Sequence, residues 1–339
     1  MVTALRKIQI RREATRGTPV TTGMDILFGR MTMAPNLNLY IPEDEERNSL
    51  AMIHRRTIVG QHSELKYDGS VTFEQIINLL AMALEGATSD AGAGLITTPS
   101  NGILTRDWTF EPTLVASAIQ NAYTVQYGDG SQAYQSSFVM CSQLAFTYAM
   151  EEPLVVSADL FGRLQTKVSF GGTPTELTVE DAVTQKTKIY GDTTWAGLGT
   201  TQLSDVLISA TVTIPTGLGM TRYADGSLEF SAFTESKWGA DVELVFKHNA
   251  TGIAEYDKYI AGTTQFIRLE TTGSEIEAVT PTYDKLFRLD LALHYTEPPT
   301  LFDDENGENV IALQAKTFHD PTSNRQLLAM VRNKQTALA

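Results

Sequence analysis

The residues best suited to acid–base or metal chemistry in this chain of 339 residues are its five histidines, His54, His62, His248, His294 and His319. Zinc centres need close pairing, such as two histidines one helical turn apart with an acid between them. None of the five is so paired, and His294 falls in an alternating run where packing on a sheet is the plainer reading. The single cysteine, Cys141, lies in the apolar run Phe138-Val-Met-Cys-Ser-Gln-Leu-Ala-Phe146 and reads as a small buried hydrophobe rather than a nucleophile. A lone cysteine also excludes an internal disulfide and a multi-cysteine metal centre, which suits folding in a reducing cytosol.

Other chemical signatures dissolve in the same way. Asp303-Asp-Glu-Asn-Gly-Glu308 has the composition of a calcium loop without its twelve-residue spacing. Its Asn-Gly pair favours a tight hairpin turn in a solvated acidic loop. Ala91-Gly-Ala-Gly94 and Gly171-Gly172 have no following Lys-Ser/Thr and no strand–turn–helix context for phosphate, and no Gly-x-Ser-x-Gly elbow occurs. The expectation is a protein that is not an enzyme, with no catalytic residue, no cofactor and no metal.

A different chemistry, charge pairing between copies, is available around residue 45. Pro42 is followed by Glu43, Asp44, Glu45, Glu46 and Arg47, and Arg55 and Arg56 come a few residues later. An acidic and a basic stretch flanking a strand could meet opposite charges on a neighbouring copy. Those seven residues are the candidate contacts between neighbouring copies. An ordinary solvated loop stays open beside that reading, because exposed ion pairs contribute little individually.

Composition narrows the class further. Lys and Arg total 26 against 40 Asp and Glu, a formal net charge of -14, which argues against general affinity for nucleic-acid phosphates. A 42% hydrophobic and 19% charged composition supports a sizeable core. No run approaches the roughly 20 apolar residues of a membrane helix. The first nineteen residues carry five Lys/Arg and no apolar signal segment. The chain is therefore expected neither to span a membrane nor to carry a visible export signal.

The elements that must position any contact residues are strands. Runs such as Tyr123-Thr-Val-Gln-Tyr127, Val155 to Phe161, Val206 to Ile214 and Leu286 to Tyr295 alternate with period two and are rich in β-branched and aromatic residues. Turn signals punctuate them at Tyr67-Asp-Gly-Ser70, Tyr127-Gly-Asp-Gly-Ser131, Ala224-Asp-Gly-Ser227 and 304–308. Thr72 and Gln75 make a capping-box pattern ahead of an amphipathic helix closed by Gly86. A second helix is expected over Ile253 to Ala261 before Gly262.

The two helices suggest an internal duplication, similar in pattern with almost no residue identity. The resulting expectation is an N-terminal arm (1–48), a first β unit (49–163) with a helix near 73–85, a connector (164–204), a second β unit (205–320) and a C-terminal arm (321–339).

Arg12-Glu-Ala-Thr-Arg-Gly-Thr-Pro-Val20, the passage from Gly60 to Leu84, Tyr123 to Gly130, Leu154 to Arg163, and the closing Asp320-Pro with Val331-Arg-Asn-Lys-Gln-Thr336 resemble, in that order, the major tail tube proteins of long, non-contractile phage tails. The resemblance implies mainly-β units of β-sandwich or half-barrel type, each flanked by a short helix. In such proteins sheets of neighbouring subunits join around a lumen, commonly as six units per ring. Two units per chain would make three chains a pseudo-hexameric ring. The partners implied are further copies of the chain, a tape-measure protein, a tail terminator and distal tail proteins. DNA would pass through the lumen without specific binding, and the location implied is the virion tail, after synthesis in the bacterial cytoplasm. A β-sandwich binding module, with Trp108, Trp195 or Trp238 lining a shallow groove, or another virion protein such as a tail terminator, remains the alternative.

Overall fold

The computed structural model describes residues 5–43, 48, 50–84, 104–112, 114, 121–174, 176–277, 282–305 and 307–339. The chain is mainly β. In order its elements are β1 (Lys7–Arg12), β2 (Asp25–Leu27), β3 (Arg30–Tyr40), β4 (Thr57–Ser70), α1 (Ile76–Ala83), β5 (Arg106–Phe110), β6 (Tyr123–Gly128), β7 (Ala133–Ala149), β8 (Val155–Gly162), β9 (Thr166–Val168), β10 (Thr187–Asp192), β11 (Leu207–Pro215), β12 (Leu218–Thr221), β13 (Ala232–Glu235), β14 (Asp241–Lys247), α2 (Ala250–Ala261), β15 (Gln265–Glu277), β16 (Tyr283–Tyr295), β17 (Thr300–Glu305), β18 (Glu308–Thr317) and β19 (Leu327–Asn333).

Antiparallel pairing organises these strands into three connected sections. A small one runs β2-β1-β6-β7-β9. A wide one runs β3-β4-β8-β7-β11-β14-β18-β17. The third runs β10-β15-β16-β19-β5. The long strand β7 belongs to the first section through its start and to the second through its end, with a register shift between Cys141 and Gln143. β16 and β18 meet at Leu293↔Thr317 and join the second section to the third. β12 and β13 form a separate two-stranded ribbon.

One apolar cluster lies between the sections and draws from both halves of the sequence, with Leu65, Phe146, Val212, Leu244, Phe287 and Leu313 all fully or nearly fully buried in it. β11, which opens the second expected unit, is hydrogen-bonded to β7 of the first. The 164–204 segment touches both: β9 pairs with β7, bridges join Thr72 to Asp181 and Pro153 to Val183, and β10 pairs with β15. The segments at either end supply β1, β2, β3 and β19, and Leu338 and Ala339 are buried.

Three local expectations are corrected. All eight residues of α1 are buried, so it is a core helix without a solvent face rather than an amphipathic one. Its capping box does not form: the Gln75 amide instead accepts from Phe28 N (3.0 Å) and donates to Ile26 O (2.5 Å), tying the helix start to β2. Gly86 lies outside the described residues. Tyr67 to Ser70 is not a turn but the end of β4, where Asp68, Gly69 and Ser70 pair with Ser157, Val156 and Val155. A Cβ on Gly69 would come within 2.6 Å of the Tyr67 hydroxyl, so this glycine serves a close approach inside a strand.

The other turns form where Asp and Gly place them. Asp129 accepts from Ser131 N and Gln132 N, Gly226 has φ 86°, and Gly307 has φ 79°. Helix α2 begins at Asn249, whose side chain accepts from Thr251 N and Gly252 N, and ends at Gly262 in the left-handed conformation.

Candidate assembly surface

In the wide section one face packs on the core; the other is covered at one end by the β12–β13 ribbon, where Met140 and Phe161 cluster with Leu218 and Phe230, and beyond that end it carries exposed and half-exposed side chains. Register fixes which side chains share the open face. One row crosses seven strands through Arg30, Asp68, Ser157, Ala145, Thr213, Asp241 and Lys316. The next runs Ser70, Val155, Thr147, Thr211, Glu243 and Gln314. No residue in either row is fully buried, whereas their strand neighbours Tyr67, Ala158, Leu144, Ile214 and Ala315 are. Alternation with period two produces this division. The open face is flat and polar, built from short Ser, Thr and Ala side chains with carboxylates in excess of cations. Two of its cations are paired locally: Lys316 lies 3.1 Å from Asp241 and Lys66 lies 3.7 Å from Asp159.

Among the described residues both lateral edges of this section are open: β3 pairs only with β4, and β17 only with β18. An unpaired edge presents a row of N–H and C=O groups to any other strand. Each edge also carries exposed apolar side chains, Leu301 and Phe302 on β17, and Leu37 and Leu39 on β3.

The β3 edge continues as a ribbon. β8 pairs with β4 only from Ser63 onward, so Asn36 to Tyr40 and Thr57 to His62 extend as two strands past the end of β8. Asn36 donates to Glu64 (2.7 Å), and Gln61 N donates to Leu228 O (2.9 Å), fixing the base. The apolar stripe that is buried at Met31 runs outward along the ribbon as Leu37, 41% exposed, and Leu39, 42% exposed, opposite Ile58, 39% exposed. At the opposite end of β3, Arg6, Lys7 and Arg30 rim an open groove of about 760 Å³ floored by Phe28, Met31 and Tyr127.

Of the candidate contact residues, Glu43, Arg55 and Arg56 are exposed in the loop that joins the two strands of this ribbon. Asp44, Glu45, Glu46 and Arg47 lie outside the described residues. Sequence reading thus found the loop through its charge, and missed the apolar ribbon beneath it. The signal available was the spacing of Met31, Met33, Leu37 and Leu39 along one strand face.

The residues that could do chemistry are placed singly. His62 is buried beside Glu64 (3.4 Å) and Arg222 (3.3 Å), His294 packs on the Phe318 ring at 4.2 Å, His248 packs on Phe302 at 4.7 Å, and His319 bonds Asn324. Burial pushes the Cys141 thiol far above its ordinary pKa, and its Sγ points to Gln143 O. Among the described residues no group of three or more His, Cys, Asp or Glu could hold a metal ion. No helix among them is long and apolar enough to cross a membrane. Trp108 is 1% exposed and bonds Asn333, and Trp195 packs edge-on against Phe266.

In comparisons with known proteins, no family model matches the chain and no curated protein matches it.

Proposed function

We propose that this chain is a structural protein of a phage tail tube, which assembles into rings that stack into a conduit for DNA. The observation that carries the reading is the eight-stranded section itself, with one face on the core, the other polar beyond the β12–β13 ribbon, and both edges open among the described residues. Pairing the β3 edge of one copy with the β17 edge of the next would extend the sheet, satisfy both rows of backbone groups and repeat until the ring closes.

Eight strands per copy bear on the stoichiometry. Three copies would give twenty-four strands, and at about 4.8 Å between strands with a barrel tilt of about 35–45° the ring would measure roughly 45–52 Å between opposite backbones. Six copies would double that diameter. We therefore favour three copies per ring. The open face would line the lumen, where short polar side chains and an excess of carboxylates offer phosphates no lasting hold. A tape-measure protein inside the lumen and terminator and distal proteins at its ends complete the proposal.

The test is negative-stain electron microscopy of the purified chain at rising concentration. Hollow tubes with three-fold rings are the expected outcome. Discrete monomers under every condition would overturn the reading in favour of a binding module, and isolated rings in favour of a terminator.

A further inference from the structure

We infer that neighbouring copies in a ring join at a fixed stagger of eight residues, which sets Arg30 of one copy beside Glu305 of the next. The inference rests on the tube reading and adds to it the register of the seam.

The stagger comes from a repeat inside the chain. The wide section consists of two halves in the same spatial order, β3-β4-β8-β7 and β11-β14-β18-β17, and in each half the helix follows the second strand. β7 and β11 join the halves within the chain. The corresponding joint between copies is β17 with the next β3. Measured from the row through Arg30 and Lys316, β4 ends two residues on at Ser70, and its counterpart β14 ends six residues on at Lys247. β8 and β18 reach two and eight residues past the row, at Val155 and Glu308. β7 and β17 reach four and eight, at Ala149 and Glu305. The second half is thus displaced by four to six residues, and a whole copy by eight to twelve. Over eight strands about 4.8 Å apart, at about 3.3 Å per residue, this is a tilt of roughly 35–46°, the range in which sheets close into barrels.

Backbone chemistry selects the lower value. Neighbouring strands are antiparallel across the whole section, so β17 meets the next β3 antiparallel in a ring of like-oriented copies. At a stagger of eight, Arg30 faces Glu305, Met33 faces Leu301 and Ala34 faces Thr300. Pro35, which has no N–H to offer an incoming strand, then falls just past the start of β17. At twelve it would lie against Asp304.

Charge selects the same register. Glu305 lies directly across from Glu308, an unfavourable like-charge pair, and Glu308 already has Lys247 at 2.7 Å. Glu305 is an even number of residues from the row, so it shares the open face with Arg30. Among the described residues neither Glu305 nor the exposed Arg30 has an ion-pair partner. A second copy of the chain supplies each with the other.

Two experiments test this. In the first, Arg30→Glu is compared by electron microscopy with the parent and with the exchanged variant Arg30→Glu, Glu305→Arg. The single variant should need about tenfold or more protein to form tubes, because like charges then meet at every seam, and the exchange should restore assembly. Parent-like tubes from Arg30→Glu, or no restoration by the exchange, would overturn the register while leaving the tube reading intact. In the second, a chain carrying Arg30→Cys and Glu305→Cys is mildly oxidised, Cys141 being buried. Disulfide-linked trimers are expected, and none from Arg30→Cys with Thr300→Cys. No linkage from the first pair, or equal linkage from the second, would overturn the register, whether or not tubes form.

Discussion

Arg332 and Asp107, 225 residues apart in sequence, face each other across the β19–β5 pair, with Nε to Oδ1 at 2.6 Å and Nη2 to Oδ2 at 2.8 Å. The fork is two-pronged, and both side chains are mostly shielded from water. It fastens the last strand of the chain to the strand that follows α1. Asn333 extends the same fastening, accepting from Trp108 Nε1 (3.0 Å) and donating to Phe73 O (2.7 Å).

Arg332→Ala leaves Asp107 a partly desolvated carboxylate without its bidentate partner. The expected cost is about 1–3 kcal/mol, read as a lower urea midpoint with an unchanged slope. Arg332→Lys should recover only part of it, because an ammonium cannot reproduce the planar fork. Equal stability of the alanine variant and the parent would show that the pair contributes nothing.

How much of this was legible beforehand differs by element. The strand character of Leu327 to Val331 is visible in its composition, but its neighbours β16 and β5 are not, since they lie far away in sequence. Helix α2 is legible because its stop signal is local, Gly262 in the left-handed conformation. Helix α1 misleads because Gln75, which looks like the second half of a capping box, spends its amide on Ile26 and Phe28. Tyr67-Asp-Gly-Ser70 has turn composition, yet its glycine answers a packing need set by the fold of Tyr67. The charged loop after β3 announces itself by composition, whereas the groove at Arg6, Lys7 and Arg30 is assembled from four separate stretches of chain, 6–8, 26–32, Tyr127 and Glu176, and has no sequence signature.

Glu13 gives a pH prediction. It is buried, and desolvation raises its carboxyl pKa although Phe138 N, Thr124 Oγ1 and Gly17 N all donate to it. A folded pKa above the unfolded one means that the native state holds this proton more tightly. Its contribution to stability is therefore fully present below the ordinary carboxylate range and falls as pH rises through the raised value. The stability difference between the parent and Glu13→Gln should shift in favour of the parent as pH is lowered from 7 towards 4.5. A difference that does not change with pH would mean that Glu13 titrates as it does in the unfolded chain.

Cys141 should be silent in the native protein. Its thiol is buried, and burial pushes its pKa far up, so the reactive thiolate is withheld. An aromatic disulfide reagent at pH 8 is expected to release no chromophore until denaturant unfolds the chain, and then to titrate one thiol. Rapid labelling without denaturant would show that the β7 bulge beside Gln143 opens readily.

The open face of the wide section is where charge and function meet. Asp68 and Glu243 are both exposed on it, and exposed substitutions of this kind usually change stability by no more than about 0.5 kcal/mol. Replacing both with lysine should therefore leave folding and tube assembly unchanged. If this face lines the lumen, the substitutions turn an indifferent wall into a basic one, and assembled tubes should retain duplex DNA that the parent tubes release. The retention must weaken steeply with added salt, because it would come from counterion release at the phosphates. Co-sedimentation of labelled duplex with assembled tubes at low and high salt measures it. Variant tubes that hold no more DNA than the parent would place this face away from the conduit, and the lumen would have to be sought on another section of the sheet.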